Sequence, residues 1–398
     1  MFITDARSIN LKLKPYLDYK HLDTDLSCRG YGDQVKNVQN SIKRLEKIHQ
    51  DISDLNKKRY SLRDNLEAVN DLDRKKTCLS EEYEELEYQM IISLLNLPNS
   101  ISEETRAQVI YSSTKEFSEC NNTERKLQKI NNHINIGLER KWLKILPCDQ
   151  QGYYLLGSLA ELENKLIDYA RNTLLNENFL QTFNPDFVPS VVIESCGEDA
   201  FSTAHKLALK SHQIYGNIET GLCKFLVGGS SLEACSCFFA MTALYPAALP
   251  IKTFTISKHF TRSENAFGLY DGCQQSTLEI FVVYKQYDLS ELINLIKKFY
   301  EPLKLPYRLV QSPVDELHFL ESARINVEVF SPMLQKYVVV GNISSFRDFL
   351  SKRLRIEDDK ENSFPKIHRC TLISFKKVLA ALIENRVDDI EPDNIFNF

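Results

Sequence analysis

Residues 253–284 read T-F-T-I-S-K-H-F-T-R-S-E-N-A-F-G-L-Y-D-G-C-Q-Q-S-T-L-E-I-F-V-V-Y. Two apolar runs, rich in β-branched and aromatic residues, flank a polar, glycine-containing middle. That pattern predicts a strand, a loop and a returning strand. Arg262 and Glu264 stand in the loop, just past the first strand. An arginine there can grip a phosphate, with the neighbouring carboxylate keeping its fork oriented. The same spacing also serves as an ordinary surface ion pair.

The chain has 398 residues, enough for roughly two to three domains. Its net charge is −5, so any nucleic-acid contact must be a local cationic patch. Ten cysteines without paired metal-ligand spacing or a secretory leader point to a reducing compartment and to no zinc site. No apolar run reaches the length of a membrane span. No targeting peptide is visible, and a transit peptide is expected to have been removed. His205 and His212 are seven residues apart in a helical stretch, where core or surface roles outweigh metal binding.

Outward from the central stretch, residues 1–32 are mixed, with strand-like alternation at 10–14. From 33 to about 95, glycine and proline are almost absent. Val38, Ile42, Leu45, Ile52, Leu55, Leu62, Leu66 and Val69 recur at spacings of three and four, the mark of an amphipathic helix. Asn70–Asp73 offers a reversal, and a second helix carries Leu79, Tyr83, Leu86, Met90 and Leu94. Two such helices predict an antiparallel hairpin, with His49 and Asn56 on or near its seam. Its tip is basic: Lys57, Lys58, Arg59 and Arg63 precede the reversal, and Arg74, Lys75 and Lys76 follow it. Such a run is either a solvated face or a phosphate-binding patch. The second helix is acidic, through Glu81, Glu82, Glu84, Glu85 and Glu87.

Residues 99–140 are polar, with one helical segment near 124–130. Beyond Trp142 come a short strand (153–157), a helix (159–175) and a strand (178–188) containing Pro185. After the central stretch come a helix (289–299) and strands at 325–332 and 338–342, and 303–310, 345–353 and 371–385 resemble a known family's turn into a strand, helix entry and closing motif.

These pieces resemble, in order, the parts of a class II aminoacyl-tRNA synthetase, specifically of the seryl-tRNA synthetase family. Arg-Ser-Glu at 262–264, Gly-Leu-Tyr at 268–270 and Leu-Glu-Ile-Phe at 278–281 look like its motif 2. The helix and proline-bearing strand at 159–188 resemble motif 1, the dimer interface. Leu-Pro-Asn at 97–99 is similar to the exit from the family's coiled-coil arm. Ala-Leu-Ile-Glu-Asn at 381–385 closes a segment like motif 3. The resemblance implies an α+β fold. An antiparallel coiled-coil arm (1–98) leads through a connector (99–140) to a degenerate catalytic domain (141–398), a mixed, mainly antiparallel sheet flanked by helices.

The family joins serine to ATP and then to tRNA. Arg262 and Glu264 retain the motif 2 pair, and Glu279 retains a position that contacts the amino acid. Elsewhere the pattern departs. The loop after Asn265 is shorter. The aromatic that stacks on adenine aligns with Gln275, and the serine-reading Thr-Ala-Glu with Gly229, Ser230 and Ser231. The metal-holding glutamate aligns with Val339, and a Ser-Ser pair with Gly341 and Asn342. The Asn-Gly-Ser-Gly that opens motif 3 aligns with Arg369, Cys370, Thr371 and Leu372. The motif 3 arginine aligns with Lys377 and the glycine before it with Lys376. Lysine lacks arginine's planar fork, and valine binds no magnesium.

Losses of about 2–4 kcal/mol of transition-state stabilisation each imply a chain that no longer adenylates serine and uses no cofactor or metal. Arg262, Glu264, Glu279 and Lys377 would then be residual positions. The combination resembles a non-catalytic, seryl-tRNA synthetase-like branch of insect mitochondria. It implies a mitochondrial matrix location, pairing with the active mitochondrial seryl-tRNA synthetase through the motif 1 surface, and contact with mitochondrial serine tRNA. A divergent active synthetase, with Arg262 and Lys377 sharing phosphate duty, and a protein scaffold without RNA remain open.

Overall fold

The computed structural model describes residues 26, 29–61, 66–102, 105, 110–113, 132–146, 149–197, 207–208, 224–260, 268–272, 274–358 and 363–386. The strand expected at 10–14, the helix expected near 124–130, and Arg63, His205, His212, Arg262 and Glu264 lie outside the described residues.

The arm consists of α1 (Gly32–Ser61) and α2 (Leu66–Leu95). Val38, Leu45, Met90 and Leu94 form its buried seam. Arg44 meets Glu82 at 2.6 Å and Arg59 meets Asp73 at 2.9 Å, so the helices run antiparallel. Helix α1 ends at Ser61 and α2 has begun by Leu66, so Asn70–Asp73 lies inside α2 and is not the reversal that the sequence suggested. Nothing at 70–73 breaks a helix, since no glycine or proline is present, and Asp73 is held from α1 by Arg59. The second cationic group is therefore displaced. Arg74 lies eight residues into α2, about 12 Å from its start at the helical rise per residue. His49 is exposed at the seam's edge, its ring 6.4 Å from that of Tyr83.

The arm is fastened to the body at its base. Asn99 is buried, and its amide donates to the carbonyls of Leu320 (2.9 Å) and Phe346 (2.8 Å). Arg29 donates to the carbonyls of Asn99 (2.9 Å) and His318 (2.8 Å).

In the body the helices are α3 (His133–Glu139), α4 (Ser158–Asn176), α5 (Ser190–Ser195), α6 (Leu232–Cys237), α7 (Leu289–Tyr300), α8 (Phe349–Leu354) and α9 (Phe375–Asn385). The strands are β1 (Ile110–Ser113), β2 (Leu143–Leu146), β3 (Asp149–Leu155), β4 (Leu180–Gln181), β5 (Phe187–Pro189), β6 (Leu207–Ala208), β7 (Lys224–Leu226), β8 (Ala243–Leu244), β9 (Ile251–Phe260), β10 (Gln274–Tyr284), β11 (Tyr307–Gln311), β12 (Ala323–Ser331), β13 (Lys336–Arg347), β14 (Glu357–Asp358) and β15 (Lys366–Ser374). Eight strands make one sheet in the order β1-β11-β12-β13-β15-β10-β9-β4. It is antiparallel except where β4 runs parallel to β9.

Alternation along the strands gives the sheet two faces. On one, Leu278, Ile280, Val282, Cys370 and Leu372 pack under α4, α7 and α9. Leu162, Leu166, Ala170 and Leu174 recur every four residues along α4, and all are fully buried. Helix α9 is buried nearly all round, as its apolar content requires. On the opposite face, Phe281, Val283 and Ile367 pack with Val192 of α5, Cys235 of α6 and Leu350 of α8.

Three boundaries differ from the sequence reading. The strand expected at 178–188 is two short pieces, β4 and β5. Between them Asn184 turns aside to donate to the Gly229 carbonyl at 2.9 Å, and the Asp186 carboxylate accepts from the Gly229 amide at 2.7 Å. Strand β13 runs to Arg347, with a register shift against β15, so the helix expected from 345 begins at Phe349. The connector also contributes β1 to the main sheet, beside β11.

A buried polar cluster ties the helical face together. Leu269 N–H donates to His133 Nε2 at 3.1 Å, which leaves the ring proton on Nδ1, facing Glu384 Oε1 at 2.6 Å. Glu384 Oε2 also accepts from Ser331 (2.6 Å) and Tyr270 (3.1 Å). Gly268 is required here, because it has φ +61° and a Cβ would stand 2.4 Å from His133 Nε2.

Candidate functional site

The site lies on the sheet face opposite α4 and α9, where β9, β10, β13 and β15 present Thr255, Glu279, Asn342, Arg369 and Thr371. Cross-strand register places Thr255 and Thr371 on either side of Glu279. Glu279 is 1 % exposed, and its Oε2 accepts from Arg369 Nε and from Thr371 Oγ1, each at 2.9 Å. Burial pushes the Glu279 carboxyl above its ordinary range, opposed by the Arg369 charge and by the Thr371 hydrogen bond. Arg369 is raised in return by that carboxylate, against its own desolvation. Glu279 Oε1 and Thr255 Oγ1 make no hydrogen bond. The space around them, bounded by Asn184, Cys235 and Phe239, has no room for a water molecule. Burial also lifts the Cys235 thiol to about 12, so it is not a nucleophile at neutral pH.

The other departing positions are also engaged internally. Lys377 Nζ donates to the Val339 carbonyl at 3.1 Å, and burial lowers its pKa. Lys376, fully buried, donates to the Asp271 carbonyl at 2.7 Å. Ser374 Oγ donates to Gln275 Oε1 at 3.2 Å, where an adenine-stacking ring would lie. Ser231 caps α6 by accepting from Ala234 N at 3.1 Å. At Gly341 a Cβ would stand 2.3 Å from the Thr371 carbonyl, so the close approach of β13 and β15 excludes any side chain there. Among the described residues no three His, Cys, Asp or Glu side chains form a metal-binding group. Valine, glycine and a lysine-held carbonyl do not fit a magnesium ion.

The arm carries the second group of candidates. Lys57, Lys58, Arg59, Arg74 and Lys75 are exposed and Lys76 is half-buried. Lys57 lies 3.2 Å from Asp54 and Arg59 lies 2.9 Å from Asp73, so part of the cationic charge is met within the arm. The structure brings Glu279 together with Arg369, a pairing that the alignment of motifs did not foresee. The two belong to strands 90 residues apart in sequence, and only the sheet register makes them neighbours. The His133–Glu384 pair was likewise missed; its one signal was the Glu384 of the motif 3 ending.

A third surface flanks β4. Leu175 (46 %), Leu180 (61 %) and Phe183 (85 %) are exposed apolar side chains around the motif 1 segment. Among the described residues no helix is long and apolar enough to cross a membrane.

Residues 224–386 match the tRNA synthetase class II core domain (G, H, P, S and T). The chain is similar to the serine–tRNA synthetase-like protein Slimp of Drosophila melanogaster, at 31 % identity over 60 % of this chain and 53 % of that protein. It is similar to the cytoplasmic serine–tRNA ligase of Danio rerio at 25 % identity, over 60 % of this chain and 50 % of that one. The mitochondrial serine–tRNA ligase of Schizosaccharomyces pombe matches at 22 % identity, over 58 % and 50 %. The chain spans about half the length of the curated relatives it matches. In fold it is similar to the seryl-tRNA synthetase of Pyrococcus horikoshii solved with ATP, with a TM-score of 0.79, 17 % identity, and coverage of 95 % of this chain and 93 % of that one. Residues 224–386 are thus similar to a class II tRNA synthetase core domain, and the fold of the chain is similar to that of solved seryl-tRNA synthetases.

Proposed function

We propose that this chain is a seryl-tRNA synthetase paralogue that does not activate serine. It acts as the partner subunit of an active mitochondrial seryl-tRNA synthetase and helps to hold mitochondrial serine tRNA. The Glu279–Arg369 pair carries this reading. A carboxylate that would meet a substrate's polar groups already holds an internal guanidinium, and the space on its other side, toward Thr255 and Cys235, has no room for water. Separating this pair, with Glu279 buried and Arg369 partly open to solvent, costs about 2 kcal/mol, which an incoming amino acid would have to offset. The Lys377–Val339 contact supports the same reading for the nucleotide side.

Partner pairing rests on the apolar surface of Leu175, Leu180 and Phe183, which suits a hydrophobic interface. RNA contact rests on the arm's exposed cations, Lys57, Lys58, Arg59, Arg74 and Lys75. The mitochondrial part rests on the resemblance and on the S. pombe mitochondrial ligase among the relatives. A protein scaffold without RNA is the second reading, favoured by the neutralisation of Lys57 and Arg59 by Asp54 and Asp73.

The deciding experiment purifies the chain alone and co-expressed with the active mitochondrial synthetase. Serine-dependent ATP–pyrophosphate exchange and serylation of the tRNA are then measured on both. The expected result is no exchange by the chain alone, a mixed dimer on co-expression, and faster serylation by the pair. Exchange by the purified chain would overturn the reading. A mixed dimer with unchanged tRNA affinity and serylation would favour the scaffold.

A further inference from the structure

Halfway along the arm, α1 and α2 part to leave a groove of about 390 Å³. Its floor is Ile42, Leu45 and Met90, its walls are His49 and Tyr83, and its rim carries Glu46 and Glu87. Leu45 and Met90 are only 6 % and 7 % exposed, so the floor is an extension of the arm's apolar seam. A two-helix pair covers only the stripe where its helices face each other, and Ile42 and Tyr83 remain half-buried beside it. Among the described residues no lysine or arginine lines the groove. On the adjoining turns Lys43, Arg44 and Lys47 of α1, with Arg44 bound to Glu82, stand against Glu81, Glu82, Glu84 and Glu85 of α2, so with Glu46 and Glu87 the acidic side chains predominate. The groove therefore repels phosphate and attracts positive charge.

We infer that this groove docks a basic amphipathic helix of a protein partner. One of its apolar side chains packs onto Ile42, Leu45 and Met90 beside the His49–Tyr83 ring contact, and flanking lysine or arginine residues meet Glu46 and Glu87. The volume lies in the range of formed binding pockets, and a third helix laid in the groove covers the open side of the seam. The rim carboxylates select a basic segment over an acidic or neutral one. Docking here is independent of whether the body has lost its chemistry and of what the cationic strip binds.

The test uses the full chain and a fluorescent peptide of roughly 20 residues, long enough to form a helix, with leucine at helical spacing and lysine elsewhere. A scrambled peptide of the same composition controls for simple charge attraction. Fluorescence anisotropy is expected to show binding of the amphipathic peptide at least about tenfold tighter than the scrambled one, a difference set by the apolar anchor. The double variant Glu46→Lys with Glu87→Lys is expected to weaken it by a similar factor. Both glutamates are exposed, and circular dichroism checks that the arm stays helical. Tyr83→Ala is expected to weaken the peptide and leave tRNA affinity unchanged. Equal binding of the scrambled peptide, or indifference to the charge reversal, overturns the inference. So does a loss of tRNA affinity in a Tyr83→Ala chain whose arm keeps its helicity and its melting temperature, which would make the groove an RNA site. A shift of the sedimenting mass on charge reversal would assign it to a second copy and also overturn it.

Discussion

Each face of the eight-stranded sheet holds a nearly inaccessible carboxylate at its centre, Glu384 on one and Glu279 on the other, and the two are satisfied in different ways. On the helical face Glu384 gathers His133, Tyr270 and Ser331, contributed by α3, the turn at Gly268–Tyr270 and β12. On the opposite face Glu279 has one charged partner, Arg369, a threonine, and an oxygen left without a hydrogen bond. The first arrangement fixes three separate elements to α9. The second fills a space. The contrast shows that a frame and a pocket on the same strands answer to separable constraints, because alternate side chains on a strand point to opposite faces.

Breaking the helical-face cluster should have the largest effect. Glu384→Ala strands three buried donors and is expected to cost about 3–5 kcal/mol in chemical denaturation. A cost no larger than that of the pocket variants below would erase the contrast.

His368 sharpens it next. Its ring stacks on Tyr284 at 4.5 Å, and burial, helped by Lys366, lowers its pKa from 6.5 to about 4. Because the folded value is depressed, the stability it confers is present above pH 6.5 and lost as pH falls toward 4. By that point roughly 3 kcal/mol is gone, at about 1.4 kcal/mol for each pH unit between the folded and unfolded values. In His368→Phe that part of the acid slope should vanish from stability curves measured between the two pH values.

The pocket should be more forgiving. Arg369→Ala leaves Glu279 buried without its cation and is expected to cost about 2 kcal/mol, less than a fully buried pair because Arg369 reaches solvent. The double change Glu279→Leu with Arg369→Met should fall within about 1 kcal/mol of the parent, since an apolar pair can replace an ion pair of similar volume. A double variant as unstable as the single one would mean that the pocket, too, is part of the frame.

The arm should respond least in stability and most in binding. Lys58→Ala, Arg74→Ala and Lys75→Ala together should change the melt by less than about 0.5 kcal/mol per site. The dependence of tRNA affinity on salt should fall by about 0.9 in log–log slope for each phosphate that the arm no longer neutralises. An unchanged slope would remove the strip from the RNA interface.

The helical hairpin, the motif 1 helix, the long β9–β10 pair and the α9 segment were legible in the sequence because each is a local pattern. Apolar residues at spacings of three and four, or alternating, report which way side chains face whatever the neighbours are. The reversal of the arm was misplaced for the same reason. Asn70–Asp73 has turn-like composition, yet composition does not register that Asp73 is held by Arg59. The broken strand at 178–188 was hidden because the groups that divert it, the amide and carbonyl of Gly229, come from about 40 residues away.

By itself the sequence determined the α+β frame and pointed, through a resemblance, to positions expected to depart from the seryl-tRNA synthetase pattern. Only the tertiary structure decided what those departures do. Arg369 turns on Glu279, Lys377 on the Val339 carbonyl, and Gly341 makes room for Thr371. Each is a contact across strands or between a strand and a helix, fixed by register and packing, and no spacing along one chain encodes it.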